Sequence, residues 1–161
     1  MEVNKYHETA TKLHQIAPKV PIDINRILAT FADIQLEYVG QITNDTPLIS
    51  KNDETYVFTT VHNPTPEERF VIAKHLAHLL FGYVDNYPKL YHRQANELQL
   101  SANRLAASIL IPKEHIQEQI EKMSEIGDTI NLQQLSELYE VEIHVIATYI
   151  KDMGLDIPER N

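Results

Sequence analysis

A helix that is apolar on nearly every side must be surrounded by other structure, and residues 69–81 (Arg69-Phe-Val-Ile-Ala-Lys-His-Leu-Ala-His-Leu-Leu-Phe81) write such a helix. Its start is well marked. Thr65-Pro66-Glu67-Glu68 is a capping box, with Thr65 as the cap, Pro66 fitting the first helical position and Glu68 able to reach back. Gly82 is a natural stop. Only Lys74, His75 and His78 interrupt the apolar run. At about 100° per residue, Lys74 and His78 lie about 40° apart, with His75 about 60° beyond, so the three share one face. Burying an amine beside two imidazoles is costly unless a partner, a metal or a pocket open to water compensates.

The rest of the chain supplies the surrounding layers. With 161 residues, 43% of them hydrophobic, it can build one proper core and carry a small appended helical unit. Tyr6, Ala10, Leu13 and Ile16 have helical spacing, which Pro18 and Pro21 end. Asp23 starts a second helix with Ile24, Ile27, Leu28 and Phe31. Residues 34–39 alternate as a strand does, residues 44–47 read as a polar segment, and residues 55–61 are rich in β-branched and aromatic side chains. A long helix follows from about Tyr91 to Ile111. Pro112 opens another that ends near Gly127, and residues 131–139 and 142–153 form a helical pair closed by Gly154. The expected class is α+β: a small, mostly antiparallel sheet with helices against it. Residues 1–127 would form the main domain and residues 128–161 a helical pair packed on it as one compact unit.

Composition excludes several functions. There is no cysteine, so disulfides and thiolate metal sites are ruled out. No apolar stretch approaches the roughly 20 residues that span a bilayer, and Met1-Glu2-Val3-Asn4-Lys5 is no signal-peptide core. A cytoplasmic protein is expected. The net charge of −9 disfavours nucleic acid, whose phosphates need cationic partners. The terminal pair has the length of a DNA-binding helix–turn–helix, yet its second helix offers only Lys151 against Glu142 and Asp152. It reads as packing or protein-binding structure.

The 69–81 helix has the spacing of a zinc peptidase. In His-Glu-x-x-His, residues four apart place two imidazoles on one face while the Glu activates water. Here those five positions read Lys74-His75-Leu76-Ala77-His78. Phe70–Phe81 nevertheless resembles the segment of the ImmA/IrrE family of zinc metallopeptidases that reads IAHELGHLLLH. Ser101-Ala-Asn-Arg-Leu-Ala-Ala-Ser-Ile-Leu-Ile-Pro112 resembles that family's following helix, EANRFAAELLMP. Val20-Pro21-Ile22-Asp23-Ile24 before a strand, and the helical pair up to Leu155, are similar too, so the resemblance covers nearly the whole chain. It implies a zincin-like, mostly helical fold.

In that family the two motif histidines and a Glu on the next helix hold zinc, and the motif Glu is the catalytic base. Matched residue by residue, Lys74 stands for the first His, His75 for the base, His78 for the second His and Ser101 for the ligand Glu. Only His78 is kept, so the four form a vestigial site with no cofactor expected. Two repairs are conceivable. His75, His78 and Glu97 could form a shifted zinc set, which would make the chain an active metallopeptidase. Alternatively Lys74 could replace the lost cation and pair with Glu97. The bland alternatives are a Lys74 that snorkels to water, two hydrogen-bonded interior histidines, and a solvated stripe of Glu97, Ser101, Arg104 and Ser108. His62 and His92 lie in or near loops, where most histidines ligate nothing. The resemblance further implies a protein partner, a helix–turn–helix repressor or other regulator, in a prophage, mobile element or stress system. The leading reading is a regulatory pseudo-peptidase that binds without cutting.

Overall fold

The computed structural model describes residues 3–43, 45–82, 93–127 and 129–155. Among these the order is α1 (Val3–His14), α2 (Ile24–Leu28), β1 (Ile34–Tyr38), β2 (Ile49–Asn52), β3 (Thr55–Thr60), α3 (Pro66–Leu80), α4 (Arg93–Leu110), α5 (Lys113–Glu125), α6 (Leu132–Tyr139) and α7 (Ile143–Asp152). The class is α+β, as the sequence implied. The sheet is mixed rather than mostly antiparallel, in the order β1-β3-β2. β2 and β3 form an antiparallel hairpin, with Ile49 opposite Phe58 and Asn52 opposite Thr55. β3 then runs parallel to β1, with Ile34 opposite Tyr56 and Tyr38 opposite Thr60. The reason is topological: the chain leaves β1, forms the far edge first, and returns through the centre. β2 carries no alternation to read, since three of its four residues are exposed.

Polar ties fix the approach to α3. Asn25 on α2 donates from Nδ2 to the Val61 carbonyl at 2.8 Å and accepts from Thr60 Oγ1 at 2.6 Å. The capping box forms as expected: Thr65 Oγ1 accepts from the Glu68 amide at 3.2 Å, and Glu68 Oε1 accepts from the Thr65 amide at 3.1 Å. The second oxygen of Glu68 accepts from the Ile42 amide at 2.9 Å, so one carboxylate anchors both the helix start and the loop after β1.

α3 is enclosed, with Ile72, Ala73, Leu76 and Ala77 wholly buried. It packs on α2 and most extensively on α4, while α1 and α7 cover other faces of α4. His14 on α1 donates from Nε2 to the Ile109 carbonyl at 2.8 Å. Arg69, at the start of α3 and buried, donates from Nε to the Glu140 carbonyl at 3.1 Å and from a terminal nitrogen to the Tyr139 carbonyl at 3.4 Å. Those carbonyls belong to the corner between α6 and α7, where Glu140 takes the left-handed conformation with φ of 52°. Leu135, Tyr139, Val141, Ile146 and Ile150 join the same hydrophobic cluster as Ile72, Leu76, Leu105 and Ile109. No helix among the described residues is long and apolar enough to cross a membrane.

Candidate functional site

The shared polar face of α3 exists, and its three residues differ in how they are held. His78 is only 5% exposed. Burial, reinforced by His75 and Lys74 nearby, lowers its pKa from 6.5 to about 4, so the ring is neutral at pH 7. His75 is half-buried. Its Nδ1 donates to the carbonyl of Val71, one turn back on its own helix, at 2.8 Å. Burial lowers its pKa as well, with the Val71 bond opposing and Lys74 assisting. The two rings stand edge to face, with centroids 6.2 Å apart.

Lys74 is also half-buried, and burial alone depresses its pKa. Opposite α3, the matched position on α4 is Ser101, whose Oγ accepts from the hydroxyl of Tyr6 at 3.2 Å. Tyr6 is 2% exposed and lies edge to face with Phe81. Helical spacing placed Tyr6 in the core, but nothing local in the sequence could show that it bonds a residue on α4. That contact depends on α1 crossing α4.

Glu97 is exposed, and Lys74 makes no ion pair among the described residues, so the pairing of Lys74 with Glu97 is not formed. The stripe that begins at Glu97 turns inward only along α4, through part-buried Ser101 and Arg104 to Ser108 at 4% exposure. No three His, Asp or Glu side chains among the described residues are grouped so as to hold a metal, and this applies to His75, His78 and Glu97 together. His62 is exposed and stacks on Tyr38 with centroids 4.0 Å apart. His92 lies outside the described residues.

Zinc requires three or four converging nitrogen, oxygen or sulfur donors, with carboxylate, imidazole or thiolate the usual ones. The matched positions offer one neutral imidazole, one amine and one hydroxyl already engaged by Tyr6. These residues do not fit a zinc ion. The position of the water-activating carboxylate holds a histidine whose Nδ1 is committed to its own helix backbone.

Comparison with known proteins bears on the scaffold. The IrrE N-terminal-like domain (Peptidase_M78) matches residues 27–151, most of the chain. The chain belongs to this family. In family terms, α3 carries the motif helix and α4 the helix after it. A solved structure, a Mycobacterium tuberculosis transcriptional regulator, is similar in fold with a TM-score of 0.63 and 16% identity. It covers 92% of this chain, which spans about half of that structure's length, 46%. No curated protein matches the chain.

Proposed function

We propose that this IrrE-type domain is a pseudo-peptidase, a regulatory protein-binding module of a prophage, mobile element or stress system, whose partner is a helix–turn–helix repressor or another regulator. The observation that carries the reading is Lys74. It stands at the matched position of the first zinc ligand, half-buried, where an ammonium group would repel a dication. Ser101 supports it, since a hydroxyl bonded to Tyr6 replaces a carboxylate on α4. The similar solved structure is that of a transcriptional regulator, which agrees with a regulatory role. The sequence charge of −9 favours a protein partner over nucleic acid.

The chemistry such a helix face supports is binding. Half-buried His75 and Lys74 leave polar groups within reach of a polypeptide, while His78 is enclosed behind them. None of them is a carboxylate base beside a metal-bound water.

Hydrolysis of an unfolded substrate such as casein, with zinc added, tests the proposal against a restored variant. The wild type should show no turnover above buffer. Lys74→His, His75→Glu and Ser101→Glu made together should gain zinc binding and measurable cleavage, because the helices that present those positions are retained. Turnover by the wild type that disappears in His78→Ala would instead establish an active peptidase with a different ligand set.

A further inference from the structure

Between α4 and α7 lies a cavity of about 180 Å³ that the reading above does not use. Its apolar wall comes from Phe70 on α3, Leu100 and Ala107 on α4, Val145 on α7, and Met153 just beyond it. Leu100 is 47% exposed, so this wall is open to solvent along one edge. Arg104 and Asp152 also line the cavity, with Nε and Oδ2 3.6 Å apart. Their side chains are 39% and 28% exposed, which places the pair at the rim.

This ion pair is loose. Arg104 Nε is enclosed and has no hydrogen-bond partner among the described residues, and the same holds for Asn103 Oδ1, its neighbour on α4. Enclosed polar atoms without partners cost free energy, and native structures contain few of them. Neither atom opens into the cavity, so what a ligand meets at the rim is the exposed remainder of the Arg104 and Asp152 side chains.

Volume and charge together limit what the cavity can hold. A cavity of about 150 Å³ holds a benzene ring, and pockets for drug-sized ligands start at about 300 Å³. The cavity therefore suits one ring or branched chain with a small head group. At the rim, a simple anion would be attracted by Arg104 and repelled by Asp152, and a simple cation the reverse. A zwitterion satisfies both, its carboxylate on the guanidinium and its ammonium on the carboxylate. We propose that the cavity between α4 and α7 binds a free amino acid with an aromatic or large aliphatic side chain, held at its charged end by Arg104 and Asp152. Such a ligand would act as an effector, because it bridges the terminal helical pair to the helix that carries Ser101.

Calorimetric titration of the full chain with L-phenylalanine and L-leucine tests this. Phenylacetate, 2-phenylethylamine and N-acetylphenylalanine amide serve as the anionic, cationic and neutral comparisons. At least one amino acid should bind saturably at one site per chain, with each comparison compound about tenfold weaker or worse, the discrimination of one charge-assisted hydrogen bond. Thr148 lines the cavity from an exposed position, so Thr148→Phe should block binding without altering the melting temperature. Asp152→Asn should weaken the amino acid yet strengthen phenylacetate. Binding by neither amino acid overturns the proposal, as does unchanged binding in Thr148→Phe. Equal binding of the neutral amide also overturns it and assigns the cavity to a side chain of a protein partner.

Discussion

His78 and Lys74 show how much of the site a sequence can state and where it stops. The apolar run around them made burial legible, and spacing alone placed them on one face. The tie between Ser101 and Tyr6 was not legible, because those residues lie on helices far apart in the chain. His78 and Lys74 each have a thermodynamic consequence. The folded-state pKa of His78 is about 4 against 6.5 when unfolded, so below 6.5 the unfolded chain binds more protons. Stability should hold above pH 6.5 and fall by about 3 kcal/mol as pH drops from 6.5 to 4. Urea unfolding across that range should show the slope in the wild type and a shallower one in His78→Gln; identical slopes would mean that His78 is not desolvated. Lys74 is half-buried and without an ion pair among the described residues. Lys74→Met should therefore raise stability by about 1 kcal/mol, read from the denaturant midpoint. A clear loss would reveal a partner for the amine.

The elements were largely readable, because their punctuation is chemical. Thr65, Pro66 and Glu68 announced α3, Pro112 announced α5, and Gly82, Gly127 and Gly154 adopt positive φ where helices were expected to end. β2 was not readable. It is short and exposed, and it exists because β3 offers it an edge; its place in the chain between β1 and β3 also lets β3 return parallel to β1. The start of α3 gives a graded test of how the site helix is held. Thr65→Ala should cost about 1 kcal/mol, the usual value of a lost cap. Glu68→Ala should cost more, about 2 kcal/mol, because the Ile42 amide loses its acceptor as well. Thermal unfolding gives the totals, and hydrogen exchange at the Ile42 amide should rise in Glu68→Ala but not in Thr65→Ala. Equal effects of the two changes would show that the loop after β1 is held by something else.

At the scale of the whole molecule, the chain has the fold of its family, and the positions matched to that family's zinc ligands carry Lys74, His78 and Ser101. The scaffold was legible because two helices carry family-like patterns over many residues. The terminal pair was read as packing or protein-binding structure; its buried residues join the core, and Arg69 ties it to α3 by bonding the carbonyls of Tyr139 and Glu140. What eluded the sequence is tertiary: the bond from Tyr6 on α1 to Ser101 on α4, and the cavity that α7 closes against α4. The proposed pseudo-peptidase requires that Lys74, His75, His78 and Ser101 hold no metal. Elemental analysis for zinc, manganese and iron, on folded protein purified without a metal-binding tag, tests it most directly. The expected result is far less than one equivalent of any of them per chain. A near-stoichiometric metal that disappears in His78→Ala would contradict the claim and make the chain a metallopeptidase with a rearranged centre.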